Sequence, residues 1–331
     1  MPLLNANVLT LADWAKRLDP DGKVPSIVEL LSQTNELLMD MQWIEGNLPT
    51  GHRTTVRTGL PTVAWRLLNQ GVQPSKSTTA QIDEACGMLE AWSEVDKDLA
   101  MLNGNTSAFR LSEAQSFIEA MNQEMASTLF YGNAGVAPEE FTGLSVRYSD
   151  PAATNGSNVI DAGSVDVDNT SVWLVVWGGQ TVHGIFPKGS KAGLIHEDMG
   201  EVTVETTAGI AGTRMRAFQD RWQWKCGIAL KDWRYCVRVG SIDVSALTSG
   251  TPTDIIPFMI KAYHRVPNLR LGSPVFYMNR TVFQQLDIIR RADVLTGGQL
   301  SYDVVDGKIQ YAFRGIPIRI CDALLNNEAV V

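Results

Sequence analysis

The chain has 331 residues, 44% hydrophobic and 19% charged, with a formal net charge of -8. That length buries a sizeable core and suggests about two domains. No run approaches the ~18 apolar residues of a membrane span, and the acidic balance argues against a protein that grips nucleic acid through its phosphates.

In chain order, residues 7–45 are expected to be helical. Thr10-Leu11-Ala12-Asp13 and Ser26-Ile27-Val28-Glu29 have the form of capping boxes, and Leu37, Leu38 and Met41 make one apolar stripe. So thin a segment must lay its stripe on the chain's own body or on a neighbour. From residue 46 to 77 the composition turns to Thr, Arg, Gly and Pro. Thr54-Thr55-Val56-Arg57-Thr58 and Thr62-Val63-Ala64-Trp65-Arg66-Leu67 read as two strands turned near Gly59-Leu60-Pro61. An isolated two-stranded ribbon is marginal in water, so this one is expected to lie across an adjacent subunit.

Residues 79–102 fit both helical and strand spacing, and a strand-like lead-in with a helix from Ser93 is the preferred reading. A long helix is predicted over 111–131, opened by Ser112-Glu113-Ala114-Gln115 and closed by Gly132-Asn133. Phe117, Ile118, Met121, Met125 and Leu129 run down one face of it. Beyond residue 143 the pattern is mostly β. A buried strand at 171–177 has 182–186 as its hairpin partner across Gly178-Gly179, and further strands follow at 222–230 and 235–239. Helices are expected over 254–265 and 281–290, a buried strand over 275–278, and a strand over 313–320 bent at Gly315-Ile316-Pro317.

The residue patterns point to no chemistry. His52, His183, His196 and His264 lie in four separate segments without metal-ligand spacing, and each reads as a surface or hydrogen-bonded residue. Cys86, Cys226, Cys236 and Cys321 are scattered without CxxC spacing and read as buried thiols. The pairs Glu139-Glu140 and Glu197-Asp198 formally allow a two-carboxylate hydrolase, but their flanks are solvated turn residues. Trp222, Trp224 and Trp233 could line a sugar-binding face, though such residues more often fill core or subunit contact. No catalytic, cofactor-binding or metal-binding residue is assigned.

The order of blocks carries more. A helical arm, a polar ribbon, a long helix and β-rich material, followed by Pro274-Val275-Phe276-Tyr277-Met278-Asn279-Arg280 and Phe313-Arg314-Gly315-Ile316-Pro317, resemble the tailed-phage major capsid proteins of the Hong Kong 97 type. Phe130-Tyr131-Gly132-Asn133 and Trp224-Lys225-Cys226-Gly227-Ile228-Ala229-Leu230 look like the capsid family of short-tailed phages of the epsilon-fifteen kind. The resemblance implies an α+β fold with residues 1–45 as N-terminal arm and 46–78 as extended E-loop. Residues 79–148 and 200–250 would form a peripheral domain that includes a spine helix at 111–131, and 149–199 and 251–331 an axial domain. Met278-Asn279 and Gly315-Ile316-Pro317 follow the strand pair that they precede in the archetype, so the chain order is read as permuted, with a domain crossing near residues 249–252.

The same resemblance implies a non-enzymatic protein without cofactors that assembles into hexamers and pentamers of an icosahedral head. The head would enclose double-stranded DNA without sequence-specific binding, with a separate scaffolding protein, a portal and a cement or decoration protein as partners. The expected place is the virion, after assembly in the host cytoplasm, with no membrane. An encapsulin-like nanocompartment shell is the alternative, and a β-rich hydrolase or sugar-binding module stands behind it. Candidate subunit contacts are Leu37, Leu38 and Met41 on the arm, and Arg53, Arg57, Trp65 and Arg66 on the ribbon, with the arginines expected to meet a neighbour's carboxylates. Some relatives crosslink their shells through a Lys and an Asn. Lys76 and Asn279 are of those types but carry no supporting motif, so noncovalent contacts are expected.

Overall fold

The computed structural model describes residues 33–102, 106–205, 213–248, 254–293, 300–305 and 308–331, the backbone only for 289–293, 300–305 and 308–310. The two expected capping boxes at residues 10–13 and 26–29 and the glycine pair at 208–213 fall wholly or mostly outside the described residues. The strands are β1 (Trp43–Glu45), β2 (Gly51–Gly59), β3 (Thr78–Ala85), β4 (Gly87–Asp96), β5 (Val159–Asp161), β6 (Asn169–Trp177), β7 (Val182–Phe186), β8 (Leu194–Glu205) and β9 (Arg214–Leu230). They continue as β10 (Cys236–Asp243), β11 (Ser273–Met278), β12 (Leu300–Val305), β13 (Lys308–Phe313) and β14 (Ile316–Ile320).

The chain forms two compact units. Among the described residues the first comprises Gln33, Met88–Met125 and Gly193–Lys225, and the second Thr34–Gly87, Ala126–Ala192 and Cys226–Val331. This division departs from the expected peripheral and axial boundaries. Strand β10, expected beside the long helix, pairs antiparallel with β6 in the sheet that also holds β11 and β14, and the expected crossing at residues 249–252 lies outside the described residues.

In the second unit β6 is the centre. All nine of its residues are buried, as expected of a strand covered on both faces and paired on both edges. Its neighbours are β10 and β11, both antiparallel. Strand β7 meets it only at Trp177 and Val182 and pairs instead with β1 and with the end of β9, so the expected 171–186 hairpin does not form. One face of the sheet, with Val172, Leu174, Val176, Phe276 and Ile318, packs on Met259 and Ala262 of the helix Ile256–Arg265 and on Val282 and Leu286 of the helix Arg280–Asp293. The other face carries Trp173, whose ring lies 5.8 Å from Phe130 and 6.1 Å from Tyr148. Residues 313–320 form two strands, because Arg314 and Gly315 both adopt positive φ, 52° and 78°, and close a tight hairpin between β13 and β14. Pro317 is the second residue of β14, an internal strand whose ladder with β11 begins one residue later, at Ile318.

In the first unit β8 and β9 form a long antiparallel ladder and β4 lies on the other side of β9. Residues 93–96, expected to open a helix, complete β4; the helix is the short Lys97–Met101, whose N-terminal amides at Asp98 and Leu99 are accepted by the Asp96 carboxylate. The long helix is Thr106–Tyr131, five residues longer at its start than the predicted span. Phe117 stacks on Trp222 at 5.3 Å and Met121 and Met125 are buried, but Ile118 is exposed. Arg110 of this helix bonds Asp198 of β8 and Asp220 of β9, at 2.6 and 2.8 Å.

Candidate assembly surface

The most exposed large apolar side chain among the described residues, Trp65, lies on the ribbon. Strands β2 and β3 pair antiparallel from Gly51 opposite Ala85 to Gly59 opposite Thr78, so residues 60–77 form the tip and the expected strand over 62–67 is absent. Every side chain from 60 to 76 is exposed, including Leu60, Val63, Leu67 and Leu68, and Trp65 is 104% accessible. Pro61 offers no amide to a ladder and the segment has no partner strand among the described residues. Apolar residues gathered this way on a projection mark an interaction surface.

The root of the ribbon is fixed. Glu84 of β3, itself buried, takes a bidentate ion pair from Arg147 at 2.5 Å for both bonds, and Arg147 also donates to the Thr142 carbonyl. On β2, Arg53 pairs bidentately with Asp83 across the ribbon at 2.6 Å. His52 packs edge-on against His183 of β7, ring centroids 5.8 Å apart. His183, expected at the surface or hydrogen-bonded, is fully buried. Burial, then the Lys231 ammonium and His52, push its pKa down to about 4.

The predicted contact residues thus separate. Trp65, Arg57 and Arg66 are exposed on the ribbon, whereas Arg53 is already held by Asp83 of the same chain. On the arm, Leu37 is 0% exposed and Met41 is buried, so these two belong to the chain's own core; Leu38 is half-buried. Gly184 explains the fit: a Cβ there would lie 2.6 Å from Met41 Sδ and 2.7 Å from the Trp43 ring, so only glycine lets them lie on β7. The expected helix ends at Asp40, and residues 43–45 form β1, parallel to β7. Met39 is the large apolar side chain of this segment that faces solvent.

A buried polar hub was not foreseen. Glu328, near the C-terminus, accepts from Arg238 Nη2 of β10 at 2.8 Å, from Ser171 Oγ of β6 and from the Tyr131 hydroxyl at the end of the long helix. Arg238 also donates to Ser171 Oγ and the Tyr148 carbonyl, both at 3.0 Å, and its guanidinium lies 5.4 Å from the centre of the Trp173 ring. The arginine and the glutamate are 4% and 3% exposed. Burial, with the Glu328 charge beside it, holds the Tyr131 hydroxyl protonated far above the usual phenol range. This hub ties the C-terminal segment to the central strand.

Several other polar groups are likewise tied into the fold. Glu197 and Asp198 sit on β8, where they pair with Arg221 and Arg110, not in a turn as expected. His196 stacks on Trp222 and reaches Asp220 at 3.0 Å, a carboxylate that Arg110 already holds. Asp166, Asp168 and Asp243 bring three carboxylate oxygens within 4.8 Å, where Asp168 and Asp243 accept the first amides of the short helix Val244–Thr248. Burial raises every cysteine thiol, Cys86 to about 11 and Cys321 to about 12, so none is a thiolate at neutral pH, and no disulfide joins any of the four. Asn279 is buried: its amide donates to Thr170 Oγ1 at 3.0 Å and to Asn326, and its oxygen accepts from Val282 N at 2.9 Å.

A long helix, a projecting two-stranded ribbon and a sheet backed by two helices define a protein of the Hong Kong 97 capsid fold, built to make shells. The chain belongs to the family described as Major capsid protein GP7, which it matches over residues 19–331. It is 30% identical to a chain of the bacteriophage Epsilon15 structure, with a TM-score of 0.76 over 100% of this chain and 99% of that one. More distant likenesses are the bacteriophage JBD30 capsid, 10% identical with a TM-score of 0.48 over 89% of this chain and 92% of that one, and the SrpI encapsulin of Synechococcus elongatus PCC 7942, 12% identical with a TM-score of 0.42 over 70% and 96%. No curated protein matches the chain.

Proposed function

We propose that this major capsid protein assembles through hexamers and pentamers into the icosahedral head of a short-tailed phage, enclosing double-stranded DNA and catalysing nothing. The observation that carries the reading is the ribbon tip, residues 60–77, free of carboxylates and exposing Leu60, Val63, Trp65, Leu67 and Leu68, on a root fixed by the Arg147 to Glu84 pair. A side chain such as Trp65 gains about 1.5–3 kcal/mol when fully covered, and a ring of subunits repeats that gain at every contact. Trp65, Arg57 and Arg66 are the contact residues in this reading, together with Met39 and the half-buried Leu38. Assembly in the host cytoplasm, a separate scaffolding protein, a portal and a cement or decoration protein complete the proposal, with noncovalent contacts holding the shell. The test replaces residues 60–77 by Asn-Gly, which closes β2 onto β3 across the Gly59 to Thr78 register. The shortened chain is expected to stay folded and soluble by circular dichroism and to form no shells in negative-stain images. Shells of normal curvature would overturn the reading.

A further inference from the structure

Three carboxylates meet where strand β6 begins and strand β10 ends. Asp166 and Asp168 lie in the loop that enters β6, Asp243 is the last residue of β10, and one oxygen of each lies within 4.8 Å of the other two. All three belong to the second unit. No Lys or Arg stands between Arg147 and Lys188 or between Arg238 and Lys261, and none of the three carboxylates is in an ion pair among the described residues.

Helix capping accounts for part of the cluster. Asp168 Oδ2 accepts from Ser245 N at 3.0 Å and Asp243 Oδ1 from Ala246 N at 2.8 Å, at the start of a helix of only five residues. Neither bond needs Asp166. Its carboxylate adds a third like charge within a few ångströms of the other two, which folding alone disfavours. Asn169 is the independent sign of a ligand. Its side chain is wholly buried, its Nδ2 donates to the Asp166 carbonyl, and it stands opposite Asp243 in the β6–β10 ladder and so shares a sheet face with that carboxylate. The bond to Asp166 fixes which end of the amide is the oxygen. That oxygen is shut off from solvent and accepts no hydrogen bond among the described residues. A buried acceptor tethered to Asp166, beside Asp243 and next in sequence to Asp168, asks for a partner that the chain itself does not supply.

We propose that Asp166, Asp168 and Asp243, with the amide oxygen of Asn169, bind a hard divalent cation of the calcium type. A donor set of carboxylate and amide oxygens without imidazole or thiolate suits calcium, which takes about 6–8 oxygen ligands in flexible geometry and completes its shell with water. The bound cation offsets the repulsion among the three carboxylates and ties the loop before β6, where Val165 and Val167 are exposed, to the end of β10. The site does not depend on the reading of the chain as a shell.

The test uses the full-length, unassembled chain, freed of metal by a chelator. Calcium chloride is added up to about 5 mM, beyond the ~10⁻⁴–10⁻³ M dissociation constants of weak calcium sites, with binding followed by calorimetry and stability by the urea midpoint. The wild-type midpoint is expected to rise with calcium, and to go on rising with the logarithm of its concentration above the dissociation constant. Asp166→Asn is expected to weaken binding about tenfold or more, because each lost carboxylate lowers the charge that holds the ion. Without calcium the same variant should keep the wild-type midpoint or exceed it, since it removes a like charge and retains the backbone carbonyl that holds Asn169, so weaker binding cannot be put down to unfolding. Asp166→Lys should abolish the response to calcium. A wild-type midpoint that ignores calcium, or an Asp166→Asn chain that responds as the wild type does, would overturn the proposal. An equal response to magnesium at the same concentration would overturn the choice of calcium.

Discussion

Replacing Glu328 by Gln is the sharpest probe of what holds the second unit together. The variant keeps the shape of the side chain and an oxygen for Ser171 or Tyr131, but it removes the charge that faces Arg238 at 2.8 Å. Arg238 is 4% exposed and its remaining acceptors, Ser171 Oγ and the Tyr148 carbonyl, are neutral. Removing one partner of a buried pair leaves an uncompensated charge, at a cost of about 3–5 kcal/mol. Removing both by Arg238→Met with Glu328→Leu avoids that cost. The hydroxyls of Tyr131 and Ser171 then each lose a partner, at about 1–3 kcal/mol apiece, against about 1–4 kcal/mol that apolar replacement of a buried pair can return. The double variant is therefore expected to lie closer to wild type than Glu328→Gln. Urea unfolding of the unassembled chain measures this, and Trp173, against the Arg238 guanidinium, supplies an emission signal from the hub itself. A loss below about 1 kcal/mol for Glu328→Gln would show that solvent reaches the guanidinium and that the tail is not anchored by charge.

Lowering the pH should loosen the ribbon root. His183 resists protonation until pH about 4 in the fold but has its ordinary value of 6.5 when unfolded, so the unfolded state binds more protons between these limits and stability falls as pH drops through that window. The loss approaches about 3 kcal/mol at the low end, and a His183→Phe variant whose urea midpoint keeps the full wild-type slope between pH 6.5 and 4 would contradict the assignment. Leu37→Ala is expected to cost the unassembled chain about 2–5 kcal/mol because the side chain is wholly buried. Met39→Ser should leave the same measurement within about 0.5 kcal/mol while weakening shells, and the reverse ranking would return Leu37 to the subunit contact.

Strand β6 is legible because a run such as Val172-Trp173-Leu174-Val175-Val176-Trp177 has few alternatives to a core strand. Its pairing is not legible. Local pattern favours the neighbouring segment 182–186, yet β10 and β11, 59 and 96 residues beyond its last residue at their starts, take the two edges. The arm shows the same limit from another side. The spacing of Leu37 and Met41 announces a buried stripe but not its cover, and the signal that names the cover lies in β7, where Gly184 interrupts Val182-His183-Gly184-Ile185-Phe186. For the hub, one trace exists in the sequence: Arg238 stands inside Cys236-Val237-Arg238-Val239, and a cation on a core strand requires a buried anion. Nothing local marks Glu328 as that anion. The ribbon tip is legible in composition and misread in form, because Thr62 to Leu67 have strand propensity but no strand within reach to pair with.

Charge required a different kind of reading. A net value of -8 answers whether the whole chain is drawn to a polyanion at long range, and it answers no. Contact is decided within a screening length, and there the relevant quantity is the local excess of cations on a few square nanometres. The acid-free stretches 255–286 and 307–321 are visible in the sequence, but only folding shows that Arg314, 50 residues beyond His264, meets that imidazole and the Tyr263 ring.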